Sequence, residues 1–441
     1  MGWIERVHAS AVRGVAAGHL GSGHVAIPVF VHHLDADDLW PDFCLTDLVP
    51  ASGALLWVTG RADAQQGMVG IGEAARTSVT GRERFSRAQR WWAQTASEFA
   101  DPDGALVAFM SFNYEAERGD SAVIVPEHLI RRAGGSVTLA TTSPDAAADP
   151  QAFIRGLRRG GDGGASHQAV QWRDGALALE RWQEQVSRAV GRIEAGALDK
   201  VVLARSVIAT ADAGVDLGWL VARLAAAHSS CWTFLIDGWV GATPEMLVRR
   251  SEHRVHSRVL AGTVKRSADE VIDGDLAARL QESGKDLAEH EYAVRSVADV
   301  LSAHCTDLDV PEQPSLLRLA NVQHLATDVT GELADDTPAV ALAGSLHPTA
   351  AVCGTTTERA AAVISELEHL DRGRYAAPVG WSDARGDGEY GIALRCGHIL
   401  DERRTQIELF AGCGIVAGST AEAERAESEA KFQAMRRALT V

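Results

Sequence analysis

Glu408-Leu409-Phe410-Ala411-Gly412-Cys413-Gly414-Ile415-Val416-Ala417-Gly418-Ser419, followed shortly by Glu424, Glu427 and Lys431, is the stretch from which the rest of the chain is best read. Apolar and β-branched residues run into Gly412 and Gly414, which predicts a strand emptying into a turn whose bare N–H groups can approach an anion. A helix is predicted next. At about 100° per residue, Glu424, Glu427 and Lys431 share one face, while Ser428, Phe432, Met435 and Leu439 fill the neighbouring, core-facing one. Two acids one turn apart are commonly just a solvated face. A glycine turn beside them, and a second such pair elsewhere, favour a binding site.

The 441-residue chain as a whole is 46% apolar and 23% charged, an ordinary globular composition with enough length for one large domain or two of average size. A net charge of -17 argues against nucleic acid or an anionic membrane as the main partner, because both are bound through basic patches. An anionic small substrate would need local cations or a metal. Cys44, Cys231, Cys305, Cys353, Cys396 and Cys413 are scattered without metal-ligand spacing and read as buried thiols in a reducing compartment. Met1 to Arg6 has no signal-like architecture, and no stretch approaches the ~20 apolar residues of a membrane span. The expectation is a cytoplasmic protein, a monomer or weak dimer.

Val25 to Ala140 reads as β-rich, with Trp91 and Trp92 marking one helix packed on that sheet. Gly160-Gly161-Asp162-Gly163-Gly164 reads as a flexible linker, dividing a β-rich N-terminal part, 1–165, from a chemically informative part, 166–441. There, Trp182, Val186, Ala189, Val190 and Ile193 fall at helical spacing, with Gly196 at the C-cap. In the strand that follows, Lys200, Val202, Ala204 and Ser206 share a face. A lysine at the mouth of such an apolar strand is an edge gatekeeper or a positioned amine. Glu245 lies between Pro244 and Met246, where a desolvated carboxyl would keep its proton near neutrality and suit a general acid; an exposed hairpin acid fits the same pattern.

Arg258 to Arg266 reads as a strand opening into a turn at Gly262-Thr263. The next helix, Ser283 to Leu301, places Asp286 and Glu289 one turn apart, the second acid pair. Hard oxygen donors from two helices, with no Cys or His set, fit Mg²⁺ better than zinc. His324 and His347 stand at element ends, where a lone histidine is usually structural. Thr355 and Glu358 read as a capping box. Tyr375 to Trp381 and Gly388 to Cys396 read as a hairpin whose Arg395 faces a largely buried surface, where it could hold a carboxylate bidentately.

The order of these pieces resembles the chorismate-utilising enzymes. The matching segments are Lys200-Val-Val-Leu-Ala-Arg, Thr243-Pro-Glu-Met-Leu, Leu260-Ala-Gly-Thr, Lys285-Asp-Leu-Ala-Glu-His, Gln323-His-Leu-Ala-Thr, Leu346-His-Pro-Thr-Ala, Val379-Gly-Trp, Ala393-Leu-Arg-Cys, Ala411-Gly-Cys-Gly-Ile-Val and Glu424-x-x-Glu427-x-x-x-Lys431. The resemblance implies an α+β fold, a single large domain with two antiparallel sheets packed face to face and surrounded by helices. It implies Lys200 as general base, Glu245 as general acid, and Mg²⁺ held by Glu289 and Glu427 with Glu424 and Asp286. Leu260, Ala261, Gly262, Thr263, His324, Thr327, Tyr375, Arg395, Gly412, Cys413, Gly414 and Lys431 would contact chorismate.

Within that family, ammonia-using anthranilate synthases lack a lysine at the position of Lys200, and aminodeoxychorismate synthases carry a nucleophilic lysine where this chain has Ala261. Both are disfavoured. The water-using isochorismate and salicylate synthases remain, with His324-Leu-Ala-Thr closer to the former. A non-catalytic chorismate-binding protein is the competing reading from another class, and the joint presence of all proton-transfer residues counts against it.

Overall fold

The computed structural model describes residues 26–158, 169–319 and 322–440. Met1 to Arg6 and Gly160 to Gly164, on which the readings of the N-terminus and the linker rest, lie outside the described residues. Among the described residues no helix is long and apolar enough to cross a membrane.

Side-chain alternation decides the layers. In the strand Leu55–Thr59, Leu55 and Trp57 enter a core with Phe109, Met246, Val379 and Tyr390, whereas Leu56 and Val58 meet Leu45, Leu48, Leu220 and Leu224. The first set fills the space between two large sheets; the second lies under the helices outside one of them. The larger sheet runs Val170–Asp174, Lys200–Ala211, Gln406–Val416, Cys396–Ile399, Trp239–Thr243, Trp232–Ile236, Leu55–Thr59, Gln66–Ile71, His128–Ala133, Ser136–Thr141, Phe30–Asp35. The other runs Cys305–Asp309, Val322–Leu333, Arg254–Lys265, Met246–Ser251, Gly388–Ile392, Pro378–Asp383, Val107–Ser111, Ser121–Val125, Ala75–Val79. Neighbours in both are antiparallel, so the expected pair of packed antiparallel sheets with helices outside is the observed fold. Strands from before and after the undescribed 159–168 segment lie side by side in each: Leu55–Thr59 pairs with Trp232–Ile236, and Val107–Ser111 with Pro378–Asp383.

The helix Leu179–Glu194 buries Trp182, Val186, Ala189 and Ile193 against Val201, Leu203, Cys413 and Ile415 of the larger sheet, and Gly196 follows with φ +75, the left-handed conformation that a helix end asks of glycine. The helix Ala421–Leu439 buries Ser428, Phe432, Met435 and Leu439 as its periodicity predicts.

Three local expectations are corrected. Gly412 and Gly414 do not form a turn: Gln406–Val416 is one continuous strand, paired residue by residue from Lys200↔Val416 to Thr210↔Gln406, and neither glycine has a positive φ. Gly262 also stays within a strand, Arg254–Lys265, as a bulge between Ala261 and Thr263 with φ +73. Thr355 pairs with Lys200 at the sheet edge, and the helix Thr357–Leu367 takes Thr356 as its N-cap without a side-chain bond.

Candidate active site

Two of the short segments that carry the chain from one sheet to the other meet at the site. Pro244 and Glu245 link Trp239–Thr243 of the larger sheet to Met246–Ser251 of the second, and Ala393 to Arg395 link Gly388–Ile392 back to Cys396–Ile399. Proline has no N–H to donate to a ladder, which suits it to the point where pairing stops. The crossovers lie against each other: the Ile392 N–H donates to Glu245 O at 3.0 Å, the Ala242 N–H to Arg395 O at 3.3 Å, and Thr243 Oγ1 to Ile392 O at 2.6 Å. Arg395 is therefore not on a strand, as its alternation with Ile392 and Leu394 implied. It sits at φ +49 in the crossover and makes no ion pair within 4.0 Å among the described residues.

Both crossovers open onto one cavity of about 250 Å³ between the sheets, lined also by Lys200, Leu260, Ala261, Gly262, Thr263, Asp286, Glu289, His324, Tyr375, Gly412, Gly414, Glu424, Glu427 and Lys431. Glu245 is 8% exposed, and burial pushes its carboxyl up to about 7 against the pull of Lys200, Arg395 and Lys431. A carboxyl so raised keeps its proton well above the ordinary carboxylate range.

Lys200, paired with Val416, stands on the cavity face of its strand with Val202 and Ala204, whose partners across the ladder are Gly414 and Gly412. A β-carbon on Gly414 would lie 3.0 Å from Lys200 Cε, and one on Gly412 3.0 Å from the Tyr375 hydroxyl. The glycines thus serve by the room they leave, not by backbone freedom. The Lys200 amine donates to Glu289 Oε1 at 2.6 Å.

Glu289 and Asp286 come from the helix Gly284–Ser302, which packs on the second sheet; Glu424 and Glu427 come from Ala421–Leu439, on the larger sheet. The two acid pairs face the same cavity from opposite layers. Lys431 bonds Glu427 Oε1 at 2.6 Å and Gly412 O at 2.7 Å. Partial desolvation works against the charge of Glu427, but Lys431, Arg395 and Lys200 outweigh it and hold the carboxyl below its ordinary range. Asp286, Glu289, Glu424 and Glu427 line the cavity as hard oxygen donors of the kind that could hold Mg²⁺, and among the described residues Glu424 and Glu427 are the two whose oxygens already lie close together. The Cys413 Sγ lies within 4.8 Å of Glu424 and Glu427 oxygens, yet burial pushes its thiol up to about 12, so it offers no thiolate.

His324 accepts or donates a 2.9 Å bond between Nδ1 and Thr263 Oγ1, while burial first, then Arg395 and Lys431, lower it to about 3. It is a neutral imidazole, with Nε2 buried and without a hydrogen-bond partner among the described residues. Tyr375 stacks on Phe410 with centroids 5.4 Å apart. Two residues expected to contact substrate point elsewhere. Cys413 faces the helices, its Sγ bonded to Glu424 O at 3.3 Å, because it alternates with Gly412 and Gly414. The Thr327 hydroxyl instead bonds His290 Nε2 at 2.8 Å, and His290 Nδ1 reaches Ala261 O at 3.2 Å, bracing the bulge from behind. His347 is away from the cavity, bonded to Tyr114 O at 3.0 Å. Val202, Pro244, Ala351, Val352 and Leu394 also line the wall. No polar signal marks these apolar residues in the sequence.

A family model described as "Chorismate binding enzyme" matches residues 50–440, nearly all of this two-sheet fold. The chain belongs to that family. It is 40% identical over 274 residues to the isochorismate synthase DhbC of Bacillus subtilis, a match covering 59% of this chain and 68% of that protein. The structure of MenF, the menaquinone-specific isochorismate synthase of Escherichia coli, superimposes with a TM-score of 0.77 at 25% identity, covering 94% of this chain and 95% of that one. Anthranilate synthase component I of Streptococcus pneumoniae, at 18% identity and a TM-score of 0.67 over 99% and 97% of the two chains, shares the fold.

Proposed function

We propose that the protein is an isochorismate synthase that converts chorismate to isochorismate with Lys200 as base and Glu245 as acid. The observation that carries this reading is the meeting, in one cavity, of an amine on one sheet and a buried carboxyl at about 7 on the crossover to the other. Lys200 takes a proton from water as the water oxygen bonds to ring C2. The ring double bonds shift, the bond from C4 to its hydroxyl breaks, and Glu245 supplies the proton with which that oxygen leaves as water. One water is consumed and one released, so the composition is unchanged.

Chorismate is a dicarboxylate entering a cavity where Lys200, Lys431 and Arg395 already face four carboxylates besides Glu245. That balance repels it unless a cation is added. Asp286, Glu289, Glu424 and Glu427 would hold Mg²⁺, which when bound supplies positive charge against the ring carboxylate. Arg395, with no carboxylate in ion-pair reach among the described residues, and Tyr375 would take the enolpyruvyl carboxylate, the guanidinium through a bidentate fork. The neutral His324 would offer Nε2 to a substrate oxygen, oriented by Thr263.

The test is incubation with chorismate and Mg²⁺ and identification of the product. Isochorismate is expected. Salicylate with pyruvate would reassign the chain to the salicylate synthases, anthranilate from ammonia would reassign the nucleophile, and unchanged chorismate that still binds would leave a binding protein.

A further inference from the structure

The outer edge of the Lys200 strand is paired unevenly. Val170–Asp174 covers it from Val207 to Ala211, and Gly354–Thr355 covers Lys200 and Val201. Between them the Val202 N–H still finds Cys353 O at 2.8 Å, but the Val202 carbonyl and the Ala204 N–H, which point to the same edge, meet no strand. Such groups are costly to bury unpaired.

A buried ion pair takes the missing strand's place. Glu368 and Arg372, with side chains 2% and 1% exposed, bond each other through Arg372 Nε and Glu368 Oε1 at 2.7 Å and through Nη2 and Oε2 at 2.6 Å. Glu368 Oε2 accepts the Ala204 N–H at 2.7 Å, Arg372 Nη2 donates to Val202 O at 2.8 Å, and Arg372 Nη1 donates to Val352 O at 2.9 Å. The guanidinium also lies 4.4 Å over the Tyr114 ring, whose residue precedes the 159–168 segment. Val202 and Val352 both line the cavity, and Lys200 is two residues along the same strand face.

Stability alone gives little reason for this arrangement. Replacing a buried ion pair by apolar groups of similar volume is often neutral or stabilising, since the charges lose their water. A bidentate guanidinium fixed to four oxygens on three residues does provide a rigid geometry that apolar packing cannot. From these contacts we infer that Glu368 and Arg372 are positioning residues: they act as a clamp that sets the height of Lys200, and of the Val202 and Val352 walls, relative to the bound substrate. The inference rests on the proposed role of Lys200.

The discriminating variant removes both charges while keeping the volume, Glu368→Gln with Arg372→Met, because a single Arg372→Ala would strand a buried carboxylate and endanger the fold. The double variant should remain folded, with melting close to that of the wild type. A misplacement near 1 Å costs about 10² in rate, so kcat for chorismate conversion should fall by that order while KM moves less than about threefold. Hydrogen exchange at the Ala204 amide should accelerate in parallel. Arg372→Lys, which keeps the charge but cannot reproduce the fork, should fall between the two in kcat. A folded double variant with wild-type kcat would overturn the inference, as would a loss of rate fully accounted for by loss of folded protein or unchanged exchange at Ala204. Wild-type protein that leaves chorismate unconverted would instead overturn the proposed reaction, with exchange at Ala204 still deciding whether the clamp exists.

Discussion

Glu245 combines two demands in one carboxyl. Burial lifts it from 4.5 to about 7, on the order of 3 kcal/mol of disfavoured ionisation. For the reaction this keeps a proton at hand, so the acid-dependent limb of the rate should decline as pH rises through about 7. For the fold the sign is opposite to that of a salt-bridged acid. Between 4.5 and about 7 the native state holds a proton that the unfolded chain has lost, so native stability falls across that window and levels off above it. Glu245→Gln should lower kcat by ~10² to 10⁴ with little change in affinity, and its stability relative to wild type should improve steadily across the same window. Urea unfolding at several pH values reads the second effect, and a pH-independent difference would show that Glu245 is ionised in the native state. Arg395 offers the companion case. Arg395→Lys keeps the charge and loses the fork, and chorismate should bind about tenfold more weakly; unchanged affinity in titration calorimetry would make Arg395 a structural residue of the crossover.

Element geometry explains what could be read from the chain and what could not. Lys200 and Glu245 stood out because each interrupts an apolar run, and the two acid pairs because the same one-turn spacing occurs twice, once beside a glycine-rich stretch; the cavity brings all of them together. The glycines were noticed for the wrong physical reason. Gly412 and Gly414 look like a turn because glycine permits unusual dihedrals, yet the strand runs through them and needs only their missing side chains. Gly414→Ala should therefore fold, since its φ is unexceptional, but its methyl would meet Lys200 Cε at 3.0 Å and displace the amine. We expect kcat to fall tenfold or more with chorismate binding retained, and wild-type kcat would show that the lysine has slack. Arg395 was misplaced because strand alternation continued on paper past Ile392, where the ladder stops and the chain changes sheets. The Glu368 and Arg372 clamp was invisible, because acids and bases four residues apart read as an exposed helical pair, and only tertiary packing buries them.

At the scale of the molecule, four carboxylates converge from two layers in a chain of net charge -17, and a divalent cation should relieve their repulsion. Mg²⁺ at a hundredfold excess over its Kd should stabilise the native state by about 2.7 kcal/mol, visible as a concentration-dependent rise in Tm. Glu289→Ala and Glu427→Ala should remain folded, lose turnover and lose most of that rise. Either variant with normal turnover and normal Mg²⁺ dependence would end the metal assignment. Zinc should not substitute well, because the donors are hard oxygens and Mg²⁺ keeps an octahedral shell.

The larger sheet also imposes a schedule on synthesis. Gln406–Val416 is made after nearly everything it touches, yet it lies inside the sheet between Lys200–Ala211 and Cys396–Ile399. Until that strand leaves the ribosome, the Lys200 strand presents an unpaired apolar edge on its inner side, and the helix bearing Glu424 and Glu427, made later still, cannot cover the same layer. The nascent chain must wait incomplete, a state prone to pairing with other chains and in need of a chaperone's cover. A message cut short before Gln406 should accordingly yield aggregate instead of a smaller enzyme.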